Sequence, residues 1–266
     1  KSMIARRIAT ILPELSLEES LEITRIYSVL GMIDKEQPLI TRRPFRSVHH
    51  TITKTALVGG GMTPRPGEIS MAHGGVLFLD ELPEFTRAAM EVLRQPIEDG
   101  KVTIARVSGT LSYPCSTMVV AAMNPCPCGY YGHPKKKCTC SNIAVSRYLS
   151  RVSGPLLDRF DIHIEVPPVE FDELSDHTLG KESSVDIKLR VNKARKIQNE
   201  RYKNTGIICN AKMTADQVQK YCQMTDSAKN IMKLAFDKMG LSARAYDRVL
   251  KVARTIADMN QDDKID

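Results

Sequence analysis

Val76-Leu77-Phe78-Leu79-Asp80-Glu81 is the stretch on which the fold turns. From Gly75 to Asp80 it is a short, continuous apolar run that ends in acids. Such a run suits a strand covered on both faces of a parallel sheet. A strand of that kind delivers its last residues to the crevice at the carboxyl edge of an open α/β sheet, where ligands bind. In the Walker B pattern the first acid, Asp80, orders Mg²⁺, a hard cation that keeps several of its waters. The second, Glu81, activates the water that attacks a γ-phosphate. The plainer alternative is a strand that ends at the surface with two solvated acids.

Working outward, residues 1–12 (KSMIARRIATIL) read as a helix with Ile4, Ile8, Ile11 and Leu12 on one face. Residues 17–30 read as a second, capped by Ser16 with Glu19 three positions on. The Pro-, Gly- and Thr-rich stretch Gln37 to Gly67 is longer than an ordinary connection and is expected to be loop or insertion. Residues 86–98 are helical in pattern, with Pro96 expected to end or kink the helix. Residues 101–114 read as a β-hairpin turning at Ser108-Gly109. Residues 116–123 read as a buried strand, 142–153 as a helix, and DIHIEV at 161–166 as a third strand. From about Val185 onward the pattern is nearly all helical. Strand–helix alternation followed by a helical tail implies an α/β domain with a doubly wound parallel sheet, residues 1–178, and a helical domain, residues 179–266.

Lys1-Ser2 opens the first helix as the last two residues of G-x-x-x-x-G-K-[ST] would. Lys1 would reach the β- and γ-phosphates, and the Ser2 hydroxyl would ligate Mg²⁺. A Lys-Ser pair is common by chance; its position before the acid-tipped strand gives it weight. The phosphate-cradling glycines are not in this sequence. Without them a lysine is a flexible point charge, so this stretch of chain is expected to bind nucleotide weakly. Asn124 follows the second buried strand directly and would emerge beside Asp80 if the two strands are neighbours. It could orient the attacking water, or it could simply form an Asn-Pro turn.

The 266 residues carry a formal net charge of +7 and a sequence pI near 9.0, which suits a polyanionic partner or, more blandly, a solvated basic surface. No apolar run reaches the roughly 18 residues of a membrane span, and no signal peptide is visible. Of seven cysteines, Cys126, Cys128, Cys138 and Cys140 fall within fifteen residues. That clustering suits a metal loop in a reducing cytoplasm better than a secreted disulfide framework. Four thiolates can close a tetrahedral zinc site, although Cys-x-Cys pairs are less specific than Cys-x-x-Cys pairs. The alternative is four reduced thiols on a basic loop with Lys135, Lys136 and Lys137.

Four long segments, FRSVHHTITKTALVGGGMTPRPGEISMAHGGVLFLDELPEF, AAMNPCPCGYYG, LSRVSGPLLDRFDIHIEVP and LSARAYDRVLKVARTIADMN, together resemble the ComM (YifB) branch of the magnesium-chelatase-related AAA+ ATPases. The resemblance covers nearly the whole chain. It implies a P-loop NTPase fold of the AAA+ type with a C-terminal helical lid, and a Lon-protease-like domain N-terminal to it in the full-length protein. It implies ATP and Mg²⁺ as cofactors, with Asp80 and Glu81 as Walker B and Asn124 as sensor 1. Arg159, in LLDRFD, matches the arginine finger of helicase-type relatives, which acts across a subunit boundary and implies a ring, a hexamer; alone it could be a salt-bridge partner of Asp158 or Asp161. Arg244 matches a sensor 2 arginine, with Arg248 one turn later as the alternative. The hairpin 101–114 would project into the ring pore with Lys101 and Arg106 toward DNA, or merely extend the sheet. Arg42 to Gly61, with Arg42, Arg43, Arg46, His49, His50 and Lys54, could be a second DNA-contacting insertion; individually, His49 and His50 read rather as ordinary packed or solvated residues. The implied activity is ATP-driven helicase or branch migration on single-stranded or branched DNA during recombination and natural transformation. Two rivals remain: a chelatase motor inserting Mg²⁺ into a porphyrin, and a degenerate ATPase fold used as an assembly module.

Overall fold

The computed structural model of the chain describes residues 1–106, 109–167 and 182–266. They form two compact units, one containing Lys1–Phe160 and the other the C-terminal stretch that ends at Asp266. The expected boundary between residues 178 and 179 lies outside the described residues, as does Ser108 at the hairpin turn.

The first unit begins with α1 (Ser2–Ile11) and α2 (Leu17–Val29). The cap of α2 forms as the sequence requires: Ser16 Oγ accepts from the Glu19 amide, and Glu19 Oε2 accepts from the Ser16 amide. In α1 it is Ala5, not the isoleucine face, that is buried, and Ile4 is exposed. The stretch expected to be loop, 37–67, contains ordered elements: β1 (Phe45–Val48), α3 (Lys54–Val58) and a short antiparallel pair, β2 (Gly59–Gly60) with β3 (Arg65–Pro66). Strand β1 was hidden because an edge strand of four residues, one of them Arg46, carries little apolar signal. After α4 (Glu68–Met71) comes β4 (Val76–Leu79), then α5 (Arg87–Asp99), the hairpin β5 (Lys101–Arg106) with β6 (Gly109–Pro114), and β7 (Met118–Ala121).

The central sheet is parallel, in the order β1-β4-β7. All four residues of β4 are buried, which follows from its central place with neighbours on both edges. The pairing runs on past the strand ends, with the Ala122 amide donating to Leu79 O and the Leu82 amide to Ala122 O, each at 2.9 Å. Leu77 and Leu79 pack into one core with Leu57, Ile69, Leu82, Phe85 and Leu93. Gly75 lets the chain enter β4: a Cβ there would lie 2.0 Å from Pro44 O. Gly59, at φ +106°, is similarly closed, with its would-be Cβ 2.3 Å from Arg65 O.

Three further expectations are corrected, for Pro96, residues 161–166 and the length of α6, while the hairpin expected at 101–114 forms and only the alternative that it extends the central sheet falls. Pro96 neither ends nor breaks α5. It sits three residues before the last, so it forgoes only the bond to Val92 O, while its own carbonyl accepts from the Gly100 amide at 3.0 Å. The hairpin β5–β6 forms its own two-stranded sheet and does not extend the central one. Residues 161–166 are not a strand; Ile162 and Ile164 are 63% and 78% exposed. Their apolar alternation reads as a strand, but no described strand offers them a ladder of hydrogen bonds. Helix α6 (Asn142–Leu149) is shorter than expected and is followed by α7 (Gly154–Leu157).

The second unit is helical, comprising α8 (Ser184–Arg201), α9 (Ala215–Tyr221), α10 (Asp226–Met239) and α11 (Ala243–Asn260). Its interior holds a charged network. Asp258, fully buried, accepts from Arg254 Nε at 3.0 Å, Arg201 Nη1 at 2.8 Å and Asn210 Nδ2 at 2.7 Å. Burial alone would raise the Asp258 carboxyl, but Arg201, Asn210 and Arg254 hold it below its ordinary value of 3.8. Its contribution to stability is therefore full above the unfolded carboxylate range and is lost as pH falls through the lowered folded value. Asp258→Ala strands the buried Arg254 guanidinium and the partly buried one of Arg201, which costs on the order of 3–5 kcal/mol. We expect it to lower the thermal midpoint of this unit sharply at pH 7 and less near pH 3; an unchanged midpoint at pH 7 would show the network to be dispensable. No helix among the described residues is long and apolar enough to cross a membrane.

Candidate functional site

The carboxyl ends of β4 and β7 and the first turn of α1 meet at one place. Because β4 and β7 are parallel neighbours in register, Leu79 opposite Ala121, the residues after them emerge side by side. Asp80 follows β4, and its Oδ2 accepts from Ser2 Oγ at 2.7 Å. Lys1 Nζ donates to Met123 O at 2.6 Å and to Asn124 Oδ1 at 3.3 Å. Lys1, Ser2, Asp80, Glu81 and Asn124 are thus brought together from positions 123 residues apart in sequence.

Glu81 adopts the left-handed conformation, φ 54° and ψ 48°, sparsely populated by side chains longer than Asn or Asp. That turn points its backbone amide at Asp80 Oδ1, 3.0 Å away, and leaves its side chain half-exposed beside the ring of His50. His50 Nδ1 lies 3.2 Å from Glu81 Oε2, and the His49 and His50 rings are 4.1 Å apart. Sequence reasoning treated His50 as an ordinary packed or solvated residue; only the β1–β4 pairing, which places the end of β1 next to the end of β4, could have revealed it.

The oxygens of Ser2 and Asp80 suit a divalent cation. Adjacent ligands of an octahedral Mg²⁺ with bonds of about 2.05 Å are separated by about 2.9 Å. The observed 2.7 Å is close to that edge.

Three of the other basic candidates, Arg43, Arg46 and Arg159, are already engaged. Arg43 pairs with Glu19 and also donates to Pro13 O and Gly74 O. Arg46 makes a two-pronged pair with Glu68 at 2.6 and 2.7 Å. Both arginines tie the fold together, so the second DNA-contacting insertion loses its two most central cations. Arg159 pairs with Glu98 at 2.7 Å, not with Asp158 or Asp161, and donates to Pro155 O. Arg244, in the first turn of α11, is exposed, whereas Arg248 is half-buried with its Nη1 unbonded. Both belong to the second unit. Lys101 is exposed at the start of β5, and the side chain of Arg106 lies outside the described residues.

The four cysteines converge. Their Sγ atoms all lie within 4.8 Å of one another, with Cys126–Cys128 at 3.4 Å, Cys126–Cys138 at 3.7 Å and Cys128–Cys138 at 3.6 Å. These are no disulfide distances. The edge of a tetrahedron with metal–sulfur bonds of about 2.3 Å is about 3.8 Å. Amides of Tyr131 and Cys140 point at the sulfurs of Cys126 and Cys138, at 3.3 and 3.4 Å. Backbone donors from Thr139 and Tyr130 lower the Cys128 thiol to about 5. The Cys140 amide also lowers Cys138, but desolvation and the adjacent Cys128 and Cys126 sulfurs push it up to about 12. One thiolate is easily made here and a second is opposed by the first, as expected of a set that needs a cation to ionise fully.

A family model described as magnesium chelatase, subunit ChlI, matches residues 1–174, and one described as magnesium chelatase, subunit ChlI C-terminal, matches residues 181–266. Among curated proteins, the uncharacterised protein YifB of Escherichia coli (strain K12) is 44% identical over 265 residues, 100% of this chain and 51% of that protein. Competence protein ComM of Haemophilus influenzae is 42% identical over 267 residues, again 100% of this chain and 51% of the relative. An uncharacterised protein of Mycobacterium tuberculosis (strain ATCC 25618 / H37Rv) is 40% identical over 260 residues, 97% and 51%. The chain spans about half the length of the curated relatives it matches. With its parallel sheet flanked by helices and both family models matched in order, the chain belongs to the magnesium chelatase ChlI family of AAA+ proteins, in the branch that holds YifB and ComM.

Proposed function

We propose that this chain is the ATPase engine of a DNA-remodelling motor. The observation that carries the reading is the cluster of Lys1, Ser2, Asp80, Glu81 and Asn124 at the carboxyl ends of adjacent parallel strands. Lys1 would bind the β- and γ-phosphates, and Ser2 and Asp80 would hold Mg²⁺. Bound Mg²⁺ would neutralise charge on the transferring phosphoryl group. Glu81 accepts the proton of the attacking water at its carboxylate, and Asn124 orients that water through its carboxamide. Residues 1–178 form the ATPase core and 179–266 the lid. Arg159 reaches the site of the next subunit in a ring, a hexamer, and Arg244 reports nucleotide state from the lid. The four cysteines suit zinc, since soft thiolates in a tetrahedral set favour it. Seven free thiols fit the reducing cytoplasm.

DNA as the track is supported by the +7 charge and by the printed name of the Haemophilus relative, a competence protein. The family description equally favours a second reading, a chelatase motor that drives Mg²⁺ into a porphyrin. The two share ATP chemistry and differ in partner. ATP turnover of the full-length protein, measured with single-stranded, duplex and four-way-junction DNA, should rise severalfold with at least one of them. Equal turnover with and without all three would remove the DNA motor and leave the chelatase reading.

A further inference from the structure

The cysteine cluster does not stand apart from the phosphate site. Cys126 lies two residues after Asn124, and the residue between them is Pro125. Proline fixes its own φ and restricts the residue before it, so Asn124 and Cys126 are joined by a stiff link. Cys126 itself is fully buried. At the other end, Cys140 is followed at once by Ser141, which caps α6 by accepting from the Ala144 amide at 3.2 Å. Helix α6 then returns to where the loop began: burial raises the phenol of its Tyr148, and the nearby backbone of Asn124 opposes that rise, which places the Tyr148 hydroxyl beside Asn124. The segment 124–148 is therefore a closed circuit, pinned at one side by the cluster and at the other by Tyr148, with Asn124 at the junction. Lys1 makes its bonds to Met123 O and Asn124 Oδ1 at the same junction.

We propose that the four-cysteine metal site is a positioning device for ATP hydrolysis, in which Cys126, Cys128, Cys138 and Cys140, bound to zinc, fix the direction of the Asn124 carboxamide. The inference rests on the ATPase reading and on the zinc reading above. Its physical basis is entropy. Without a metal the loop Cys126 to Cys140 is closed only by weak thiol contacts, and ordering fifteen residues through those contacts is unfavourable. With the metal, the ordering is supplied by coordination. Asn124 is a positioning residue for the water, and the cysteines act through it.

The test uses full-length protein in three forms: as purified, stripped with a chelator selective for zinc over magnesium, and restored with one equivalent of Zn²⁺. Zinc is measured by elemental analysis, the order of residues 118–124 by hydrogen exchange, and kcat and KM by ATP turnover. Stripping should speed exchange in 118–124 and lower kcat by about 10–100-fold, the range for loss of outer-shell support. KM for ATP should rise less than kcat falls, and added zinc should restore both readouts. Cys140→Ser should lose zinc, speed exchange in 118–124 and lower kcat as stripping does. Less than half an equivalent of zinc in metal-replete protein would overturn the proposal, and so would unchanged exchange after stripping. If zinc-replete protein hydrolyses no ATP under any DNA condition, the ATPase reading fails, and the exchange comparison still decides whether the cluster holds Asn124.

Discussion

Replacing Arg159 by alanine in the full-length protein should lower kcat by about 10³–10⁵-fold, the range seen when an arginine finger is removed from a phosphoryl-transfer site. In the isolated chain this guanidinium is held by Glu98 at 2.7 Å and by Pro155 O, so a finger role requires it to leave that pair when a neighbour docks. Arg159→Lys keeps the charge but loses the fork that neutralises two oxygens at once, and most of the deficit should remain. A structural role would give a different pattern: the thermal midpoint would fall, and turnover of the residual folded protein would be normal. Mixing is the sharper measurement. If the finger acts across subunits, inactive Arg159→Ala and Glu81→Gln chains should regain partial turnover on mixing, because some sites then combine an intact Glu81 with an intact neighbouring Arg159. Mixed rings with no recovery would place Arg159 within its own subunit's site or outside catalysis.

Glu81→Gln should lower turnover by about 10²–10⁴-fold while leaving ATP binding within a few-fold of the parent. The amide is the same size, keeps the left-handed backbone no worse off than the glutamate, and can still hydrogen-bond His50, so the geometry beside Asp80 is preserved. What it cannot do is accept a proton. Filter binding or calorimetry with ATP, run beside a phosphate-release assay, separates the two effects. Retained turnover would assign the base elsewhere. Parent protein that binds ATP without hydrolysing it would favour the assembly-module reading. A variant that fails to bind ATP would show that Glu81 serves the fold and not the chemistry.

Much of this site was legible before any coordinates, for an identifiable reason. A central parallel strand must be apolar on both faces, so Val76 to Leu79 announce themselves, and the acids that follow have only one edge to occupy. Asn124 was legible through Met118 to Ala121, although that run, expected to be buried, lies at an edge of the described sheet and is only half-buried. The capping box at Ser16 and Glu19 is local chemistry and was read without tertiary information. The unread parts are those decided by pairing. Strand β1 carries its signal in a partner 31 residues away, and His50 acquires its place beside Glu81 only through that pairing. Arg43 and Arg46 looked like a basic patch because sequence shows charges but not the Glu19 and Glu68 that neutralise them. Residues 161–166 erred the other way: alternation suggests a strand but does not supply a neighbour. Pro96 misled because a breaker near a helix end costs one bond, not the helix.

The tight entry to β4 bears on how variation among relatives should be weighed. Gly75 has Pro44 O where a methyl group would go, and Gly59 has the Arg65 carbonyl. Neither touches phosphate, metal or any candidate cation, yet no side chain can be accommodated without moving backbone. A ranking of positions by invariance would place these two beside Asp80 and Glu81 and mistake crowding for catalysis. For this molecule the informative comparison is the opposite one: positions such as His50, where several residue types would fit and only some could reach the Glu81 carboxylate.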